Sequence, residues 1–230
     1  MNRITNKIPA PLLPILRLLW RKVKKARNFF EHTRTKDQLH SYWSSPPDFR
    51  NYPEAYLIGE GNSKLLLRLV GNQIGHNDKI LEVGSNIGRN LAYLFEAGFK
   101  NLESIEINRA AAKMFEEHFP QAAASTTVHL GAMETIFPKI PDNSVGLVYS
   151  MAVMEHVHPE SENVFSEMAR ITNKVLITIE NEKDSSWKAF ARNYKLIFEK
   201  LGFLQVYEEK CGKNTELSSS YMARIFHKIT

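Results

Sequence analysis

The stretch Lys79-Ile80-Leu81-Glu82-Val83-Gly84-Ser85-Asn86-Ile87-Gly88-Arg89-Asn90 decides the fold. It reads as a buried strand, Lys79 to Val83, followed by a glycine-punctuated turn and a helix from Asn90 to Glu96. A strand ending in an acid and running into Gly-x-x-x-Gly builds a nucleotide-type cofactor site. Glycine lets backbone approach a ligand, and the open N–H groups of a helix start favour an anionic group. Glu82 at the strand end is placed to bind a cation or hydroxyls, with Gly84, Ser85, Asn86 and Gly88 beside it. Glu106 closes a second apolar strand, Leu102 to Ile107, at the distance where an acid commonly holds a ribose.

Working outward, helical and strand-like segments alternate. A helix from Gly61 to Val70 precedes the decisive strand. After the second strand come a helix at Arg109–Phe119, strands at Thr126–Leu130 and Val145–Ser150, and a helix at Ser161–Ile171. A strand at Lys174–Ile179 and a helix at Ser186–Leu201 follow. The chain finishes on two strand-like runs, Phe203–Glu208 and Tyr221–His227, joined by a polar loop. This alternation predicts an α/β fold, a doubly wound, mainly parallel sheet with helices on both faces. The last pair, with no helix between, predicts a terminal antiparallel hairpin. Ligands of such sheets bind beyond the carboxyl ends of the strands, where the strand order reverses.

Charge divides the chain in two. The net charge is +5 over 230 residues, yet residues 1–36 hold ten Lys and Arg against one acid, a surplus of +9, which leaves −4 for the rest. A mildly acidic domain is not that of a nucleic-acid binder, and no nucleic-acid partner is expected. Residues 1–45 are taken as a basic amphipathic extension and 46–230 as the domain, with Ser44-Ser45-Pro46-Pro47-Asp48 as the hinge. The extension sets Leu12-Leu13-Pro14-Ile15-Leu16-Arg17-Leu18-Leu19-Trp20 beside Arg21-Lys22-Val23-Lys24-Lys25-Ala26-Arg27. That arrangement suits either a helix lying on an anionic membrane surface or a first helix packed on the domain. Tyr42 and Trp43 serve equally well as a lid or as plain packing. The single cysteine, Cys211, excludes an intramolecular disulfide and suits a reducing compartment. The expected location is cytoplasmic, with residues 1–36 as the point of any contact with the inner membrane face.

The order of motifs resembles the class I S-adenosylmethionine-dependent methyltransferases across roughly residues 60–230, including the terminal strand pair. Glu82-Val83-Gly84-Ser85-Asn86-Ile87-Gly88 is similar to that family's first motif, with Asn86 standing where a middle glycine is usual. The resemblance implies S-adenosylmethionine as cofactor, its methionine end held by the loop and its ribose hydroxyls by Glu106, with Ile107 adjoining. Val128-His129-Leu130-Gly131-Ala132-Met133-Glu134 resembles the motif beside the adenine. Ala132 replaces a common Asp there, which leaves Glu134 and the backbone of Ala132 and Met133 to serve the ring. Pro141-Asp142-Asn143-Ser144-Val145-Gly146 resembles the lead into the fourth strand, with Gly146 in place of another common Asp. Ser150-Met151-Ala152-Val153-Met154-Glu155-His156-Val157 is similar to the strand ending of members acting on small molecules, lipids and sugars. Ser150 joins the expected cofactor set.

The resemblance thus implies methyl transfer to a small-molecule, sugar or lipid-linked acceptor, most simply a hydroxyl. Glu155 and His156 are the catalytic candidates, since His titrates near neutrality, although the same pair could only brace its loop. Glu180, Asn181 and Glu182 either face the acceptor or start the next helix. No metal is expected, because His156 and His158 lack further committed ligands. Two alternatives stay open. One is a non-catalytic module that binds S-adenosylmethionine; the other is an NAD-linked oxidoreductase, which would want Gly-x-Gly-x-x-Gly.

Overall fold

Strands buried on both faces need near-continuous apolar runs, and such runs place the sheet in this chain. The computed structural model describes residues 34–229. Its seven strands are β1 (Ile80–Val83), β2 (Leu102–Glu106), β3 (Thr126–Leu130), β4 (Val145–Met151), β5 (Thr172–Asn181), β6 (Phe203–Lys210) and β7 (Tyr221–Lys228). They lie in the order β3-β2-β1-β4-β5-β7-β6. The first five are parallel, and β7 is antiparallel to both β5 and β6. The order reverses between β1 and β4, where Val83 lies beside Ile105 on one side and Ser150 on the other. The doubly wound sheet and its closing hairpin are as the sequence predicts.

Alternation along each strand divides the core. Ile80, Leu147, Tyr149 and Ile177 face one side, under α2 (Gly61–Val70) and α3 (Arg89–Glu96). Leu81, Val83, Val148 and Leu176 face the other, under α7 (Asn163–Ile171) and α8 (Tyr194–Lys200). α4 (Arg109–His118) and α5 (Pro120–Ala124) link β2 to β3, and α6 (Met133–Ile136) follows β3. α4 starts because Asn108 accepts hydrogen bonds from the N–H groups of Ala110 and Ala111.

Two segments depart from expectation. The helix predicted from Ser186 begins only at Tyr194, where Asn193 caps it by accepting from Leu196 N. Trp187, Phe190 and Tyr194 carry helical spacing, but the first two are anchored from a loop. Ser186 N bonds Ala189 O at 2.9 Å, and Phe190 N bonds Glu155 O at 2.7 Å. The second is α1 (Lys36–Ser44), a helix lying within the expected extension. A reciprocal cap starts it, Thr35 Oγ1 taking Gln38 N–H and Gln38 Oε1 taking Thr35 N–H. Its Leu39 and Tyr42 are buried in the domain. The apolar and polybasic stretch read as membrane-seeking, up to residue 33, lies outside the described residues. Among the described residues no helix is long and apolar enough to cross a membrane.

Candidate active site

The tight turn after β1 is shaped by backbone that side chains would obstruct. Gly84 and Gly88 have φ of 74° and 67°, and Asn86 between them has φ 49°. Asn is among the few side-chain-bearing residues that tolerate this region, which explains its presence at the middle position. A Cβ on Gly88 would lie 2.2 Å from the Phe115 ring, and one on Gly84 would lie 2.5 Å from Val153.

Glu106 fixes the same turn from the neighbouring strand. One carboxylate oxygen accepts Asn86 N–H at 2.6 Å, and the other accepts Asn108 N–H at 2.7 Å. Burial raises its pKa, and each oxygen keeps a second lone pair. Glu82, also buried, accepts from Asn90 Nδ2 at 2.9 Å through one oxygen, while the other has no partner. Burial pushes its pKa up to about 8. Asn90 is itself oriented by the Ser63 hydroxyl, 2.8 Å from its amide oxygen.

A cavity of about 220 Å³ opens over these groups. Glu82, Gly84, Ser85, Asn86 and Glu106 line it. Ile107, Ala132, Met133, Glu134 and His156 also lie on its wall. Ser150 does not: it is fully buried beside Glu180, so its place in the expected cofactor set is corrected. α1 supplies the roof through Lys36, Leu39, His40 and Trp43. Glu134, expected near the adenine, accepts a 2.9 Å hydrogen bond from His40 Nε2, which ties the roof to the end of β3.

A second cavity of about 320 Å³ adjoins the first and shares Trp43, Asn51, Tyr56, Ala152 and His156 with it. His156 stands at the junction. Its Nδ1 is 2.6 Å from the Lys188 carbonyl oxygen, an acceptor only, so Nδ1 carries the hydrogen and Nε2 presents a lone pair. Burial pulls its pKa down to about 4, which keeps the ring neutral. Trp43 packs against the ring with centroids 4.3 Å apart. His158 holds the opposite tautomer, since its Nδ1 accepts Glu160 N–H at 3.2 Å.

Glu155 faces the second cavity with both oxygens engaged, by Asn181 N–H at 2.6 Å and by the Tyr221 hydroxyl at 2.9 Å. It lies 3.7 Å from His156 Nε2, longer than a hydrogen bond. Glu180 accepts Val153 N–H at 3.0 Å and Glu155 N–H at 3.3 Å, bracing the turn from below. Of the three candidates after β5, Asn181 reaches the second cavity, whereas Glu182 is turned away onto Arg224 at 2.7 Å. Among the described residues no group of three or more acids, histidines or cysteines could hold a metal ion.

Residues 81–175 match the family model described as a methyltransferase domain. Over those residues the chain is similar to methyltransferase domains. The solved magnesium protoporphyrin IX methyltransferase from Synechocystis PCC 6803, with bound SAH, has the same fold. It is 14% identical with a TM-score of 0.65, over 85% of this chain and 100% of that one. Geranyl diphosphate C-methyltransferase from Streptomyces coelicolor A3(2) is 10% identical with a TM-score of 0.61, over 82% and 86%. No curated protein sequence matches this chain.

The residues present fit S-adenosylmethionine, the cofactor that the sequence resemblance implies. The unpartnered Glu82 oxygen suits an ammonium group, and the spare lone pairs of Glu106 suit two adjacent hydroxyls. Several groups that complete the site have no sequence motif of their own. His40 and Lys188 reach it from distant segments, whereas Asn108 was visible as a residue type that caps helices.

Proposed function

We propose that the protein transfers the methyl group of S-adenosylmethionine to a hydroxyl of a small-molecule acceptor held in the second cavity. The observation that supports this best is the position of His156 on both cavities, with its tautomer set by the Lys188 carbonyl. Bound in the first cavity, the cofactor supplies an electrophilic methyl group. Glu82 takes the cofactor's amino group, Gly84 to Gly88 line its carboxylate side, and Glu106 clamps the ribose. Ala132, Met133 and Glu134 surround the adenine.

With the cofactor bound, His156 would accept the acceptor's hydroxyl proton at Nε2 as the methyl passes from sulfur to oxygen, leaving S-adenosylhomocysteine and a protonated imidazole. Its lowered pKa means that the base is present in neutral form at physiological pH, although its modest basicity limits proton transfer to a hydroxyl already losing its proton. Glu155 acts through others, as a positioning residue holding Asn181 and Tyr221 around the acceptor. α1 acts as a lid: Trp43 excludes water from the junction and His40 closes the adenine side of the first cavity, leaving positioning as the main source of rate. The second cavity's volume of about 320 Å³ suits a sugar or similarly compact acceptor.

The test is release of S-adenosylhomocysteine on incubation with a set of hydroxyl compounds and with amines of matched size. Hydroxyl-dependent release is the expected result. Cofactor binding with no release in either set would favour a module that binds the cofactor without transfer.

A further inference from the structure

One charged group in the second cavity has no part in moving the methyl. Lys188 Nζ donates to the Tyr42 hydroxyl oxygen at 3.0 Å. It also lies 4.8 Å from the ring centroid of Tyr42, 5.0 Å from that of Trp43 and 5.7 Å from that of Trp187. Ring faces stabilise an ammonium without cancelling its charge. Other basic side chains of the domain are neutralised differently: Arg224 meets Glu182 and Glu208, Arg170 meets Glu167 and Asp142, and Lys174 meets Asp78. Lys188 is held by a hydroxyl and π faces, with the Asp48 carboxylate near enough to feel its charge but, unlike those pairs, in no salt bridge with it. An ammonium has three donors, of which Tyr42 takes one.

Two hydroxyls extend the donor set. Ser185 Oγ accepts Ala191 N–H at 3.1 Å, and Ser186 Oγ accepts Lys188 N–H at 3.3 Å. Both line the cavity, and each keeps its own O–H proton to donate. The carboxylates of this cavity are grouped on Asn181, which donates from its side chain to Asp184 at 3.1 Å and from its backbone to Glu155 at 2.6 Å. One part of the wall is therefore rich in donors and cationic, and another is rich in acceptors.

We propose that the donor-rich wall of Lys188, Ser185 and Ser186 recognises an oxyanion, a carboxylate or a phosphate, carried by the methyl acceptor. This rests on the second cavity being the acceptor site. It narrows the acceptor from hydroxyl compounds in general to hydroxy acids or phosphorylated alcohols. The geometry couples recognition to chemistry. The Lys188 carbonyl fixes the tautomer of His156, and its side chain supplies the cation, so an anion seated there lies one side chain away from the base.

Calorimetry on the full chain loaded with S-adenosylhomocysteine, at constant ionic strength, tests this with matched probes. The carboxylate arm compares 4-hydroxybenzoate with 4-hydroxybenzamide, and the phosphate arm compares glycerol 3-phosphate with glycerol. In at least one arm the anion should bind about tenfold or more tighter than its neutral counterpart, as charge-assisted hydrogen bonds do. Lys188→Met should abolish that preference while leaving S-adenosylhomocysteine affinity unchanged, and Lys188→Arg should restore part of it. If Lys188→Met does not fold, the Ser185→Ala, Ser186→Ala double variant should still lower the preference several-fold. Equal binding of anion and neutral probe in both arms overturns the proposal, as does no binding in either or a preference that survives Lys188→Met. Methyl transfer to a neutral hydroxyl with no anion preference would overturn this proposal and leave hydroxyl methylation standing. Anion-selective binding without transfer would do the reverse.

Discussion

The two cavities are made of different materials. The first is made largely of backbone: a turn with positive φ at three alternate positions, Gly84, Asn86 and Gly88, closed by the carboxylate of Glu106 on backbone N–H groups. The second is made of side chains from a lid, a strand end and a loop, meeting at His156. The backbone site is strict about residue type and local in sequence. The side-chain site gathers groups from distant segments. On the proposed function the cofactor therefore has a rigid seat, while the acceptor is met by groups that can be exchanged without disturbing the sheet.

The largest effect should come from the junction itself. His156→Gln removes the base and should lower kcat by roughly 10²- to 10⁴-fold, with S-adenosylmethionine affinity within about twofold of wild type. Because burial holds the ring's pKa at about 4, the free base persists through mild acid. At saturating S-adenosylmethionine the kcat profile of the wild type should thus show no histidine limb near pH 6.5 and should fall only as pH approaches 4. A variant with full activity would reduce His156 to a packing residue under Trp43.

Next in size is the backbone seat. Gly88→Ala puts a methyl group against the buried Phe115 ring in a conformation that side chains rarely adopt. The expected cost is about 2–4 kcal/mol, combining overpacking and backbone strain, read from urea unfolding. Phe115→Ala in the same chain should not recover it, because φ remains positive. By contrast Lys188→Met, in the second cavity, should change stability by only about 1 kcal/mol or less. Similar losses at both positions would erase the distinction between the cavities.

This difference in material also explains what could be read before the structure. The turn, both acids and the alternation of strands and helices were legible because each rests on a local rule: apolar runs for parallel strands, glycine and Asn where φ is positive, and an acid at a strand end. The lid and the acceptor wall were not. His40 meets Glu134 across 94 residues, and Lys188 meets Tyr42 across 146, so no pattern in the chain announces either contact. The loop before α8 misled for a physical reason. Trp187, Phe190 and Tyr194 recur at helical spacing, yet burial of aromatic rings by an irregular loop produces the same pattern as a helix face.

A smaller effect should appear in the pH dependence of cofactor binding. In the empty site burial raises the Glu82 pKa to about 8, so the side chain is mostly protonated at neutral pH. Pairing with an ammonium needs the carboxylate, so binding must release that proton. Affinity should therefore climb as pH rises towards 8, by about tenfold per unit at the steepest. Titrations at pH 7 in buffers of different ionisation enthalpy should show proton release, and Glu82→Gln should abolish it along with the slope. A flat profile in the wild type would mean that the orphaned oxygen of Glu82 meets no cation.

The smallest effect concerns the lid, which contributes Trp43 to both cavities. α1 is held by the buried Leu39 and Tyr42, by Asn51 Nδ2 donating to the Tyr42 hydroxyl at 2.7 Å, and by His40 on Glu134. About a third of the His40 side chain is exposed, at 32%, so solvent screens the pair and its contribution should be only about 0.5–1 kcal/mol. His40→Ala should weaken S-adenosylmethionine binding two- to five-fold, the amount that energy corresponds to, and leave kcat within about twofold. The bond joins the lid to the adenine side of the first cavity, whereas Trp43 joins it to His156. Trp43→Ala should therefore act on kcat and acceptor KM more than on cofactor affinity. If both variants changed only cofactor affinity, α1 would belong to the first cavity alone, and the acceptor would meet an open site.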